Sequence, residues 1–334
     1  MRSPSIFYGC QDYFSHKRCA RDYSAAIGQA YKLVRDPREA DIAILHYEPH
    51  MYGQILSEFP YLQNRYVVGF AVWEADILPL AYQQGIALVD EIWTPSRFSL
   101  QAFETCHDRV RHVPHVVRRE KAFSDADLKA VQSRIRHDSR AVYFLNISKV
   151  SDKRKNVHQL LAAFSAVRRE MPEARLIIKN YDGTAYGTEE DSVIFVNRFL
   201  TPQEINALYY LSDIYVSAHH AEGWGLTMSD AMLFQKPVIG TAYSGNLEFM
   251  DSENSFLVDY DLEPIHPEDC FGFFGPDMKW AYPSQDALVD RMITACREVK
   301  GHGLEGMIAQ AEKRIGSFSL SRVAARVHQA IEAI

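Results

Sequence analysis

Glu222-Gly223-Trp224-Gly225-Leu226-Thr227-Met228-Ser229-Asp230 is the stretch whose reading decides the fold. It follows the apolar, β-branched run Ile214–Val216 and leads into a helical pattern. That places it at the carboxyl end of a strand, where open α/β sheets bind ligands. Gly223 and Gly225 leave the backbone bare, so N–H groups at the start of the next helix can approach an anion closely. Glu222 lies in the loop, and Asp230 lies about a turn and a half inside the helix. A carboxylate pair around a helix N-terminus suits a polyhydroxylated ligand that carries phosphate. On spacing alone it suits equally well a helix start favoured by the dipole.

The next β-α junction repeats the design. After Pro237–Gly240 comes Thr241-Ala242-Tyr243-Ser244-Gly245-Asn246-Leu247-Glu248, in which Ser244, the Gly245 backbone and Asn246 would offer donors at a second helix N-terminus. Two such loops on adjacent strands imply one shared anionic ligand. Ala242 stands where a G-x-S-x-G elbow needs glycine, which argues against a serine hydrolase. Upstream, Lys149-Val150-Ser151-Asp152-Lys153-Arg154-Lys155-Asn156 places four cations after the run Ala141–Leu145. That is the composition of a diphosphate clamp, and standing alone also that of a solvated turn.

Around these loops the apolar runs Leu176–Ile178, Val193–Val196, Pro237–Ile239 and Phe256–Val258 alternate with helical patterns. Val157, Leu160, Leu161, Phe164 and Val167 share one helical face, and Thr201-Pro202-Gln203-Glu204 is a capping box with proline at the first helical position. Strand-helix alternation predicts parallel β-α-β units. The first half repeats the rhythm through Ser5–Tyr8, Ile42–Leu45, Tyr66–Phe70, Glu91–Trp93 and Val110–Val113, with Ser96 capping a helix through Phe103. The polar stretch Arg118–Arg140 reads as a hinge region. A last helix, Ser319–Ile334, carries Leu320, Val323, Ala324, Val327, Ile331 and Ile334 on one face, and its other face lacks the lysines of a membrane-surface helix.

Composition bounds the rest. The chain has 334 residues, 47% hydrophobic and 24% charged, with net charge -7. That balance fits two globular domains and excludes a general nucleic-acid binder. Five scattered cysteines without a C-x-x-C argue for reduced thiols in place of disulfides or zinc. No stretch approaches 18 apolar residues, and Met1–Cys10 lacks a signal pattern. The expected location is cytoplasmic, with any membrane contact peripheral, at the inner face.

Several motifs in order resemble glycosyltransferase family 4, a retaining GT-B group, and especially its bacterial polysaccharide mannosyltransferase-like members. They are Lys149 with Lys155-Asn156, Glu222-Gly-Trp-Gly-Leu with Asp230-Ala-Met, Lys236-Pro-Val-Ile-Gly, and Tyr243-Ser-Gly-Asn-Leu-Glu-Phe-Met250. Ser252–Val258 and Trp280-Ala-Tyr-Pro283 continue the likeness, which is strong over about 141–334 and moderate over 66–106 through Trp73-Glu74 and Trp93–Ser96. The resemblance implies an α/β GT-B fold of two Rossmann-like domains with parallel sheets facing a central cleft. Its parts would be 1–118 on the acceptor side, a hinge at 119–140, a nucleotide-sugar domain at 141–318, and a terminal helix at 319–334 packing back on the first domain.

The resemblance also implies residue roles. Lys149 and Lys155 would grip the donor diphosphate, Glu222 would meet the sugar hydroxyls, and Asp230, shorter than the usual Glu, would hold the ribose. Gly223, Trp224, Gly225 and Leu226 form the donor loop, Phe199 and Leu200 fall in the base-binding segment, and Ser244, Gly245, Asn246 and Glu248 match a Gly-Gly-x-x-Glu pattern with Ser replacing the first Gly. His219, His220 and Glu74 are candidate sugar or acceptor contacts. In the N-terminal loop, where the family is Gly-rich, only Gly9 remains. The implied reaction is retaining transfer of a hexose, mannose first, from a nucleotide diphosphate sugar to a glycan, lipid-linked or small-molecule acceptor. GDP-mannose is the first expected donor and a UDP-sugar the second, with no cofactor. The alternatives are a nucleotide-sugar epimerase and a non-catalytic partner subunit. No metal is expected: Asp125-Ala-Asp127 and Asp259-Tyr-Asp261 match D-x-D without clearly ending buried strands, and Pro49 keeps His46 and His50 off a common helix.

Overall fold

A computed structural model describes residues 3–119, 122–181, 184–188 and 190–334. The chain divides into two compact units. One comprises Met1–Val117, Gly272–Lys279 and Gly316–Ile334, and the other Arg118–Phe271 and Trp280–Ile315.

The first unit opens with β1 (Ser5–Cys10), α1 (Phe14–Ile27), β2 (Lys32–Val34), β3 (Ile42–His46), α2 (Tyr52–Glu58), β4 (Tyr66–Phe70), α3 (Leu80–Ile86), β5 (Glu91–Thr94), α4 (Arg97–Glu104) and β6 (Val110–His112). Its strands form one parallel sheet in the order β2-β1-β3-β4-β5-β6. β3 is buried at every position, as expected of a parallel strand covered on both faces. Ser96 caps α4 by accepting from Ser99 N at 3.2 Å. Gly9 pairs with Leu45 inside β1 instead of opening a phosphate loop. The late segment Gly272–Lys279 belongs to this unit as well, with Phe274 stacked on Trp73 at 4.7 Å.

The second unit runs through α5 (Asp125–Ile135), β7 (Val142–Ser148), α6 (Val157–Glu170), β8 (Ala174–Asn180), β9 (Val193–Val196), α7 (Pro202–Leu211), β10 (Ile214–Ser217), α8 (Leu226–Leu233), β11 (Val238–Thr241), β12 (Phe256–Val258), β13 (Tyr260–Pro264), β14 (Lys279–Pro283), α9 (Gln285–Gly301) and α10 (Glu305–Gly316). A parallel sheet, β12-β11-β10-β7-β8-β9, carries the core, and β13 with β14 makes a small ribbon. Val157, Leu160, Phe164 and Val167 of α6 are buried against that sheet, together with α9. The Thr201–Glu204 capping box is present on both sides. Residues 119–140, expected as a hinge, instead include α5 and fall within this unit; 120 and 121 lie outside the described residues. Asp127 closes a second capping box with Ser124, which accounts for one D-x-D triplet.

The last helix, α11 (Leu320–Glu332), packs on α1 within the first unit, and His328 Nε2 lies 2.8 Å from Ala26 O. Val323, Ala324, Val327 and Ile331 are buried, whereas Ile334 lies past the helix end and is exposed. Among the described residues no helix is long and apolar enough to cross a membrane.

Candidate functional site: the loops after β7, β10 and β11

Glu222, Gly223, Trp224 and Gly225 occupy the loop between β10 and α8. Gly225, at φ +92°, turns the chain into Leu226 and the rest of α8, a backbone that side chains avoid. The loop is clamped from the next junction: Glu222 N donates to Ser244 Oγ at 2.8 Å, and Gly245 N donates to Glu222 O at 2.8 Å. Packing is so close that a Cβ on Gly245 would lie 2.2 Å from the Gly223 carbonyl oxygen. Ser244 itself sits at φ 78°, ψ -152°, a glycine-type backbone. A non-glycine residue there stores on the order of 1–3 kcal/mol of strain. This is the position at which the resembled pattern has glycine.

These bonds correct one expectation. Ser244, Gly245 and Asn246 were expected to aim donors at an anion from a second helix N-terminus. The structure has a four-residue 3-10 turn there, and the donors face inward. Asn246 Nδ2 donates to Thr241 O at 2.9 Å, which leaves its Oδ1 to His219 Nε2 at 3.1 Å. His219 Nδ1 in turn faces Ser217 Oγ at 3.0 Å. His219 is fully buried with both ring nitrogens engaged, and it ties the two loops together. Burial drives its pKa down, outweighing the opposing pull of Glu222.

The four cations after β7 also separate. Arg154 turns to Asp152 at 2.7 Å, Lys149 is exposed, and Lys155 Nζ donates to Glu222 Oε1 at 2.6 Å. Burial works against the charge on Glu222, but Lys155, His219 and Arg154 together hold its carboxyl below the ordinary range. The pair is largely buried on both sides, with 20% and 11% of the side chains exposed. β7 and β10 are neighbours in the sheet, which is why residues 67 positions apart meet.

Asp230 is the fifth of the eight residues of α8 and is 9% exposed. Trp224 is buried and its Nε1 donates to Ser229 Oγ at 3.2 Å, making it a brace of the helix start. Phe199 projects into solvent while Leu200 is buried. Glu248 is buried, and its carbonyl accepts from Arg314 Nε at 3.1 Å. Glu74 lies after β4 in the first unit. His220 is buried in another direction: Nδ1 lies 2.7 Å from Ala281 O, and burial lowers its pKa to about 4. Sequence reasoning missed the residues around His220, chiefly Asp269 and Tyr282, because nothing in their spacing links them to the strand ends. Among the described residues no group of His, Cys, Asp and Glu has the arrangement of a metal site.

Two parallel six-stranded sheets, each flanked by helices, define the class: this is a GT-B fold. Anabaena HepE, solved with UDP and glucose, superposes with a TM-score of 0.70 at 14% identity over 99% of each chain. Sucrose-phosphate synthase of Thermosynechococcus elongatus gives 0.71 at 13% identity, again over 99% of each. The family described as Glycosyl transferases group 1 matches residues 141–265, which hold the Lys155 turn and both glycine loops. Trehalose synthase of Thermococcus litoralis is 30% identical over 123 residues, 32% of this chain and 30% of that protein. The serotype-specific mannosyltransferase WbdA of Escherichia coli is 24% identical over 171 residues, 47% of this chain and 21% of that protein. The matched stretches thus span less than a third of these curated relatives.

Proposed function

We propose that the chain is a retaining hexosyltransferase that takes its sugar from a nucleotide diphosphate sugar and passes it to an acceptor hydroxyl. The observation that carries this reading is the Lys155–Glu222 pair set among the carboxyl ends of adjacent parallel strands. An ammonium has three donors, so Lys155 can hold Glu222 and a phosphate oxygen together. As the sugar–phosphate bond breaks, negative charge grows on the leaving diphosphate and positive charge on the ring. Lys155 and the N-terminus of α8 stabilise the former, a preorganised electrostatic contribution. Glu222, kept ionised, takes the sugar hydroxyls and faces the developing positive charge. Asp230 takes the ribose. Exposed Lys149 is free to swing onto the outer phosphate. The diphosphate itself serves the acceptor proton in same-face attack, so no side chain is assigned as general base.

The match to a mannosyltransferase makes GDP-mannose the first donor to test, and the fold-level likeness to a protein solved with UDP and glucose makes UDP-glucose the second. The acceptor is taken to be a glycan, lipid-linked or small-molecule hydroxyl, reached from the cytoplasmic side of a membrane. Incubation with each radiolabelled donor, with and without acceptor, tests the reading. Transfer with retained anomeric configuration supports it. Sugar release or epimerisation without acceptor dependence, or inversion at the anomeric carbon, overturns it.

A further inference from the structure

A cavity of about 300 Å³ opens in the second unit between the start of α6 and the β13–β14 ribbon, lined by Lys153, Asn156, His220, Asp269 and Tyr282 among others. Neither Lys155 nor Glu222 lines it. At about 30 Å³ per water it has room for several waters or one sugar ring.

Ala281 O can only accept, so His220 Nδ1 carries the proton of the neutral ring and Nε2 is a bare lone pair. That nitrogen has no hydrogen-bond partner, and its residue is 2% exposed. Pro283 O likewise accepts from Gln159 Nε2 at 2.6 Å, which turns Gln159 Oε1 toward Asn156 Nδ2. Asn156 Oδ1 is then left over, buried and without a partner in a residue 1% exposed. The carboxylate of Asp269 stands 3.9 Å from His220 Nε2, and the Tyr282 hydroxyl that reaches it does so at 3.3 Å. Three residues that line one cavity therefore carry these acceptors, two of the acceptor atoms being buried behind its surface. Leaving buried polar atoms unpaired costs about 1–3 kcal/mol each, so the arrangement is poised for a ligand that brings donors.

A metal ion is disfavoured by the geometry, since no metal-like group exists among the described residues. An organic ammonium would meet Lys153 on the same wall. A hydroxyl suits both sides: it donates to His220 Nε2, Asn156 Oδ1 or Asp269 and accepts from Lys153. We infer that this cavity is a saccharide-binding site, separate from the Lys155–Glu222 crevice and taking a neutral polyhydroxylated ring. The inference stands independently of the transferase reading. It requires that the side chains shift enough on binding for the ring's hydroxyls to reach the two orphaned acceptors, which are closed to water in the unliganded protein.

The full-length protein is titrated with methyl α-mannopyranoside, methyl α-glucopyranoside and maltose by saturation-transfer NMR and calorimetry, with choline chloride as the ammonium control and GDP and UDP in parallel. Asn156→Gly keeps the left-handed backbone at φ 50° and removes the acceptor, while Asp269→Asn removes the carboxylate charge. Asn156→Gly should weaken glycoside binding about tenfold or more, the loss of one such hydrogen bond, and Asp269→Asn should weaken it by replacing a charged acceptor with a neutral one while leaving nucleotide affinity unchanged. If one variant does not fold, the other decides. The inference is overturned if no saccharide binds the wild type, if choline binds in its place, or if glycoside affinity is the same in the folded variants. Loss of nucleotide binding in the wild type would bear on the transferase reading alone.

Discussion

The Lys155 ammonium meets Glu222 Oε1 at 2.6 Å and thereby joins the turn after β7 to the loop after β10. Each residue limits the other's freedom. The carboxylate keeps the ammonium over the strand ends, and the ammonium keeps the carboxylate ionised despite its burial.

Removing Lys155 strips charge stabilisation from the leaving diphosphate. Lys155→Ala should lower kcat by roughly 10²–10³, comparable to losing one preorganised oxyanion donor. Glu222→Gln should leave free-nucleotide affinity near wild type while cutting sugar transfer. Steady-state kinetics with calorimetric nucleotide titration separates the two. Wild-type transfer rates in both folded variants would remove this crevice as the active site.

The same pair predicts a pH effect. Glu222's folded pKa is depressed, so its contribution to stability is complete above the unfolded value near ~4.3 and is lost as pH falls through the lower folded value. Glu222→Gln should therefore be less sensitive to acid in urea melts below about pH 4.3. An unchanged acid limb would mean that the pair carries no linkage.

Burial pushes the imidazole of His115 down to about 3. With an unfolded value near ~6.5, that stability is whole above this pH and erodes below it, by about 2 kcal/mol at pH 5. His16, lowered to about 4, and His46 add to the same trend in this unit. His115→Gln should lose stability at pH 7.5, because Tyr23 Oη keeps its bond to Val113 O but loses the one to His115 Nδ1 at 3.0 Å, yet show a shallower decline toward pH 5. A decline as steep as wild type in denaturant melts would contradict the assignment.

Gly245→Ala places a methyl group 2.2 Å from the Gly223 carbonyl oxygen and 2.7 Å from that of Glu222, both backbone atoms. The loop must move. The expected cost is about 1–3 kcal/mol in stability, with a larger proportional loss of transfer as Glu222 shifts. Melting temperature and turnover measured on one preparation check both parts.

Asp230→Ala should weaken binding of both the free nucleotide diphosphate and the nucleotide sugar by about 1–3 kcal/mol. Equal affinity in wild type and variant would show that the shorter acid does not reach the ribose.

Much of this architecture was legible because its signals are local. The buried strands read as apolar runs, and Thr201-Pro202-Gln203-Glu204 announced α7 through its own side chains. β2 escaped notice because it is a three-residue edge strand with two exposed positions. α5 was taken for hinge because only Val131 and Ile135 of its face are buried. In the site, Lys155 and Glu222 were named from motif order, but their pairing is a property of strand order. The inward turn of Ser244, Gly245 and Asn246 was hidden for a related reason. A hydroxyl and an amide can serve a ligand or a neighbouring loop, and only the distance to Glu222 and Thr241 decides. His220 and Asp269, 49 positions apart, meet without any pattern that a periodicity would expose.

The placement of α11 on α1 sets an order on biosynthesis. Every strand of the first sheet is made before residue 117, yet the helix that covers Ala26 and the Phe318 carbonyl that accepts from Val117 N at 2.8 Å come from the last nineteen residues. At about 5–20 residues per second the ribosome needs on the order of 10–40 s to travel between them. Through that interval the nascent first unit presents an uncovered apolar flank on α1, while the second unit, whose final helix ends just upstream of α11, is free to form first. Nascent-chain chaperones would find their longest-lived target there, and the earlier-made unit would be the later one to mature.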